Sequence, residues 1–238
     1  MNTSKKVLII KNIRREGPGL ILDVLKKRHL GYTLVDLSLN DPIPKLSNYC
    51  AIFILGGPDS VNDSTKKIQT LLATIKTALD LNIAILGICL GLQALVKAAG
   101  GSVIKCVIKE IGFKDVNNDS FQINLTNDGK VDPLLNKIDF PSNVFQLHGE
   151  TVKLSSSMKQ LADSKYCKNQ IVKVRKNAYG IQCHFELTKD MLSLWCDEDT
   201  DLKRLNKESL INDFECISIY YTKTGIQLIT NFLDILKV

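Results

Sequence analysis

Seven cysteines occur in this chain, and one of them stands where a nucleophile could work. Cys89 closes an apolar run, residues 83–88, and is flanked by Gly87 and Gly91 in the spacing G-x-C-x-G. A helical pattern begins at the next residue, Leu90. This is the cysteine counterpart of the G-x-S-x-G elbow, in which a sharp strand-to-helix turn lifts the nucleophile clear of the sheet. Glycines suit such a turn because side chains there would collide with a strained backbone. The positive end of a helix starting at Leu90 would favour the anion of a thiol. Taken alone, the spacing also fits a small buried cysteine in a tight turn.

A cysteine nucleophile needs a base, and the chain offers three histidines. His29 falls in the basic first helical segment and reads as an exposed or helix-end residue. His148 and His184 both sit at the ends of strand-like runs. His184 belongs to Cys183-His184-Phe185-Glu186, just after the apolar run 179–183. An H-x-E spacing lets Glu186 point the same way as His184 and hold its imidazole, as the third member of a triad does. A lone H-x-E is also compatible with a surface pair, and the upstream thiol gives this one its interest.

The elements that must position these groups follow from hydrophobic periodicity. Apolar runs at residues 7–10, 32–37, 50–55 and 83–88 read as buried strands. Helical patterns lie between them at 20–30, after a cap at Ser64, and at 90–99 before Gly100-Gly101. Continuously apolar strands alternating with helices predict a parallel sheet covered on both faces, an α/β flavodoxin-like fold. Further strand-like pieces follow at 102–108, 121–125, 144–147, 152–154, 171–174 and 179–183. Helices are expected at 189–196, 202–221 and 225–236. With no repeat and no linker, residues 1–238 read as one domain with a helical C-terminal extension from about 189.

Five segments in order, together with a first loop, carry a resemblance. Glu16-Gly17-Pro18-Gly19, Gly56-Gly57-Pro58-Asp59-Ser60, Gly87–Gln93, Lys109-Glu110-Ile111-Gly112, Phe145-Gln146-Leu147-His148-Gly149-Glu150 and residues 179–188 resemble the motifs of the class I (triad) glutamine amidotransferases. Among these, the chain is most similar to stand-alone proteins like the amidotransferase domain of GMP synthase. The resemblance implies roles at matching positions. Cys89 would be the nucleophile, His184 its base and Glu186 the residue orienting that base. The N–H groups of Gly57 and Leu90 would form the oxyanion hole. Gly56, Gln93 and the Leu147-His148-Gly149 segment would line the glutamine pocket, making His148 a pocket or structural residue rather than the base. Departures from the family pattern are Phe113 after the KEIG segment, Glu150 for Asp, Cys183 for Phe and Phe185 for Pro; none removes a catalytic group.

The implied reaction is hydrolysis of the glutamine side-chain amide through a cysteine thioester, giving glutamate and ammonia, with no cofactor and no metal. The chain has neither G-x-x-x-x-G-K-[ST] nor G-x-G-x-x-G, so a full amidotransferase would need a synthetase partner in trans. The same triad could instead hydrolyse γ-glutamyl peptides or amides. A catalytically idle binding subunit is the reading from another class.

Composition fits these expectations. With 45% hydrophobic and 24% charged residues the chain has the balance of a globular protein rather than a disordered one. The longest apolar runs fall far short of the ~18–20 residues that span a bilayer. The start, Met1-Asn2-Thr3-Ser4-Lys5-Lys6, leads into too short an apolar run for a secretory signal, so no membrane association and a cytoplasmic location are expected. Residues 1–30 carry eight Lys or Arg against Glu16 and Asp23, a surplus equal to the whole net charge of +6. Without a nucleic-acid motif this reads as a solvated face and no nucleic-acid partner is expected. The odd cysteine count without a CxxC pair fits reduced thiols. The acidic run Asp197-Glu198-Asp199-Thr200-Asp201 lacks the Gly and terminal Glu of a calcium loop and reads as a solvated turn.

Overall fold

A computed structural model describes residues 6–237; Met1–Lys5, where the basic segment begins, lie outside them. The first half alternates as the periodicity requires: β1 (Lys6–Lys11), α1 (Leu20–Lys27), β2 (Tyr32–Asp36), β3 (Tyr49–Ile54), α2 (Lys66–Asp80), β4 (Ala84–Ile88) and α3 (Leu90–Ala98). There follow β5 (Ser102–Gly112), β6 (Gln122–Leu125), the short α4 (Asn127–Lys130), β7 (Ser142–Asn143), β8 (Gln146–Lys153), β9 (Lys159–Ser164), β10 (Ile171–Arg175) and β11 (Ala178–Ile181). The chain ends with α5 (Lys189–Glu198) and α6 (Lys207–Ile235).

Nine strands form one sheet in the order β2-β1-β3-β4-β11-β10-β9-β6-β7. The first five are parallel, in the flavodoxin-like order, and the remaining four extend one edge antiparallel. Alternation along β1 sets the two layers. Val7 and Ile9 pack with Leu20, Ile21, Val24 and Leu25 of α1 and with Leu228, Ile229 and Phe232 of α6. Leu8 and Ile10 pack with Ile68, Leu71 and Ile75 of α2 and with Leu92 and Leu95 of α3. All five residues of β4 are buried, as a central strand covered on both faces requires.

Several local expectations change. The cap of α2 is Thr65, whose Oγ1 accepts from Ile68 N at 3.3 Å, rather than Ser64. The separate pieces at 144–147 and 152–154 are replaced by β8, which pairs antiparallel with β5 in a two-stranded ribbon, interrupted by a register shift between Lys105 and Glu110. The run expected to end at Cys183 stops at Ile181, so His184 leaves the sheet on an irregular segment. The helices expected at 202–221 and 225–236 are one continuous α6, preceded by a single turn at Leu202–Arg204. Gly225 does not break it. A Cβ there would lie 2.2 Å from the Phe185 carbonyl oxygen, so glycine lets the helix press against the segment that carries the H-x-E pair. No helix among the described residues is long and apolar enough to cross a membrane.

Candidate active site

Cys89 occupies the turn between β4 and α3 at φ 51°, ψ −106°, a conformation that side chains rarely adopt. Its neighbours make that turn possible. A Cβ on Gly87 would sit 2.4 Å from the Gly91 carbonyl oxygen, and one on Gly91 would sit 2.2 Å from that of Ile54. The Cys89 N–H donates to Ile181 O at 2.7 Å, tying the turn to the end of β11. Cys89 is 5% exposed and its Sγ lies 3.7 Å from the Leu147 carbonyl oxygen. As the first residue of α3, Leu90 has an N–H with no acceptor inside the helix. Gly57 packs against it: a Cβ on Gly57 would be 3.0 Å from Leu90 Cδ2.

His184 and Glu186 come to this turn from the segment after β11, both almost fully buried. His184 Nδ1 lies 2.7 Å from Glu186 Oε1, while Glu186 Oε2 accepts from Phe185 N at 3.0 Å. Burial alone would push the imidazole towards its neutral form. The Glu186 carboxylate and the neighbouring Cys89 side chain outweigh it and hold His184 well above its ordinary 6.5. The ring is fixed from several sides. The His184 N–H donates to Phe145 O at 2.9 Å, and Tyr221 Oη donates to His184 O at 2.7 Å. The Trp195 ring meets the imidazole edge-on, with centroids 5.0 Å apart.

His148 is turned to other partners. Its Nδ1 lies 3.1 Å from Glu150 O, and its Nε2 lies 3.0 Å from Glu110 Oε2, out of line for a hydrogen bond. Glu110 is wholly buried and accepts from Gln170 Nε2 at 3.3 Å and Ser164 Oγ at 3.5 Å. With Cys167, Glu110 and His148 form the one group among the described residues whose three donor atoms, all within 4.8 Å, could face a cation. The Glu110 oxygens are engaged by Gln170 and Ser164, and His148 Nδ1 by the Glu150 carbonyl, so hydrogen bonds tie this group to the β5–β8 ribbon.

Cys89, Gly57, Gln93, Leu147, His148 and Gly149 line one cleft of about 560 Å³. Gln93 is 4% exposed and its Nε2 donates to Glu150 O at 3.0 Å, which fixes α3 to the ribbon. Gly56 lies just inside the cleft wall, against His184: a Cβ there would be 3.1 Å from His184 Cε1. His29 is exposed beyond α1, away from this group.

Two residues read as solvated belong to the cleft instead. Arg15 is 8% exposed and its Nη2 is 2.6 Å from Asp199 Oδ2. Asp199, also 8% exposed, accepts from Asp201 N and Leu202 N as well, so this one residue of the acidic run is a buried cap, while Asp197, Glu198 and Thr200 stay exposed. Sequence reasoning also missed Glu16, a buried carboxyl in the same cleft. The signal available was its place in the Glu16-Gly17-Pro18-Gly19 loop, which delivers Leu20 N to Glu186 O at 3.0 Å.

The family model of glutamine amidotransferase class-I matches residues 19–191. The glutamine amidotransferase-like protein YfeJ of Salmonella typhimurium is 29% identical over 150 residues, 61% of this chain and 60% of that protein. A glutamine-hydrolyzing GMP synthase of Mesoplasma florum is 31% identical over 192 residues, 77% of this chain but 34% of its own length. The matched stretch therefore spans about a third of that synthase. In fold, a glutamine amidotransferase of Thermotoga maritima superposes with a TM-score of 0.86 at 22% identity, over 97% of this chain and 99% of that one. One from Methylobacillus flagellatus gives 0.84 at 24% identity, over 97% and 95%.

Proposed function

Because this chain belongs to the class-I glutamine amidotransferases, we propose that it is a glutaminase working through a thioester on Cys89. It releases glutamate, and ammonia for an acceptor held by a synthetase partner in trans. The observation that carries this reading is the buried Glu186–His184 pair close to Cys89, which itself lines a cleft. In this reaction the Cys89 thiolate attacks the side-chain carbonyl carbon of glutamine. The oxyanion that forms is met by the N–H groups of Gly57 and Leu90. His184 gives its proton to the nitrogen as the C–N bond breaks, and ammonia leaves. It then takes a proton from water, whose oxygen attacks the thioester and expels the Cys89 thiolate, restoring the starting state. Glu186 holds the ring in the tautomer these transfers need and stabilises the imidazolium. Gln93 and the 147–149 segment shape the pocket for the amino-acid end of the substrate.

The size of the cleft, about 560 Å³, favours a second reading as well, since it leaves room for a substituent on the amide. In that case γ-glutamyl peptides or amides are the substrates of the same relay. One assay tests both: glutamate release from glutamine and from γ-glutamyl peptides, with Cys89→Ala as control. Glutamate from glutamine that vanishes in the variant supports the glutaminase. Preference for the peptides moves the assignment to a γ-glutamyl hydrolase. Silence on every substrate leaves a binding subunit.

A further inference from the structure

The reaction outlined above gives Glu16 no task, yet the residue is built into the same site. It sits in the loop between β1 and α1, only 4% exposed. Its Oε2 has no hydrogen-bond partner, although a buried acceptor left unmet is costly and rare. Its position is fixed by Gly56. A Cβ on that residue would lie 2.2 Å from Glu16 Oε2 and 3.1 Å from His184 Cε1. The carboxyl group and the imidazole therefore flank the same turn, and Glu16, Gly57 and Cys89 line one cleft. The charged groups around it are His184 and Arg15, which favour its anion, and Glu186 and Asp199, which oppose it.

A primary amide brings what this oxygen lacks. Its carbonyl is assigned to the N–H groups of Gly57 and Leu90, and its nitrogen must approach His184, but its two N–H bonds have had no acceptor. We propose that Glu16 accepts a hydrogen bond from the scissile amide nitrogen of glutamine and is thereby a specificity residue for amide leaving groups. This rests on the glutaminase reading. The nitrogen must turn its lone pair towards the His184 proton as the C–N bond breaks, and an acceptor on one of its N–H bonds sets that orientation. Glu16 exchanges no proton in the step. The proton passes from His184 to nitrogen, the C–N electron pair stays with nitrogen, and Glu16 keeps its hydrogen bond to the ammonia formed. A leaving group without N–H, such as a thiolate, has no use for it.

The test compares two substrates on three proteins. Values of kcat/KM, which cover the steps through acylation, are measured at pH 8, above the value of about 7 to which burial pushes the Glu16 carboxyl, for glutamine and for γ-glutamyl S-ethyl thioester, on the wild type, Glu16→Met and Glu16→Gln. Glu16→Met should lose about ten- to a hundredfold on glutamine, the range of one hydrogen bond to a charged group, and stay within about twofold on the thioester. Glu16→Gln keeps a neutral acceptor and should fall between. Should Glu16→Met fail to fold, a selective loss on glutamine in Glu16→Gln carries the test. Equal losses on both substrates, or no loss on glutamine, overturn the inference alone. A wild type that cleaves the thioester but not glutamine overturns the glutaminase reading, and this inference with it.

Discussion

Replacing Glu16 by Gln should stabilise the protein, and increasingly so as the pH rises. Glu16 is 4% exposed and burial pushes its carboxyl from an ordinary 4.5 up to about 7, the pull of His184 and Arg15 notwithstanding. In the unfolded chain the group loses its proton near 4.5; in the native protein it keeps it to about 7. Between those values the native state binds the extra proton, so stability falls as pH rises, and above 7 the full loss is in force. At about 1.4 kcal/mol per tenfold, the interval is worth on the order of 3 kcal/mol. Glutamine at this position has the same shape and nothing to titrate. The stability gap between Glu16→Gln and wild type should widen by about 2–3 kcal/mol from pH 5 to pH 8. For a chain of this size that is roughly 5–10 °C in the difference of melting temperatures. Urea denaturation of both proteins at the two pH values measures it. A gap that stays constant, or shrinks with rising pH, would show that the carboxyl is ionised and well served in the native state, and would refute the reasoning.

Other expectations concern the relay and its supports. A glutamine-mimicking diazo-ketone should label Cys89 first, with protection by glutamine, because burial pushes Cys106 up to about 12 and Cys167 up to about 11 and also raises Cys183 and Cys196; peptide mapping that finds the label spread over several cysteines counts against it. Glu186→Gln removes the carboxylate that keeps His184 charged, so kcat on glutamine should drop by about 10²–10⁴-fold with folding retained by circular dichroism. Tyr221→Phe leaves the buried His184 carbonyl without its donor and should cost about 1–3 kcal/mol in thermal or urea denaturation. Gly225→Ala forces α6 off the Phe185 carbonyl and should lower stability by about 1–3 kcal/mol, with a matching fall in kcat as the adjoining H-x-E segment shifts.

What the sequence made legible follows from how local each signal is. The β1–α3 half could be read from periodicity because central parallel strands are apolar on both faces and their helices carry one apolar stripe. The Cys89 turn was legible because strained backbone leaves its mark as glycine at fixed offsets. β9 was missed because Lys159–Ser164 is mostly polar and its pairing with β10 and β6 is set by distant residues. The unity of α6 was hidden by Gly225, which local propensity reads as a stop and tertiary contact explains as a close approach. Arg15 and Asp199 illustrate the same limit. Each sits in a charged stretch that looks solvated, and only the fold shows that they are buried against each other, 184 residues apart.

Two of these misses, the unity of α6 and the Arg15–Asp199 pair, meet around His184, and that has a mechanistic meaning. Cys89 is fixed by its own turn, but His184 rides on an irregular segment after β11 that no sheet pairing holds through its length. Its rigidity is supplied from outside. Leu20 N holds the Glu186 carbonyl, Tyr221 holds the His184 carbonyl, and Trp195 packs on the imidazole while its indole N–H donates to Arg15 O at 3.0 Å. Arg15 in turn is locked to Asp199, at the end of α5. The helices after residue 189, which the sequence reading set aside as an extension, thus complete the wall behind His184. A hydrogen bond reaching His184 loses catalytic value steeply with misplacement, so this packing, as much as the H-x-E spacing, decides whether the relay can work. Removing α6 should therefore abolish glutamate release along with stability, rather than leave a smaller active core.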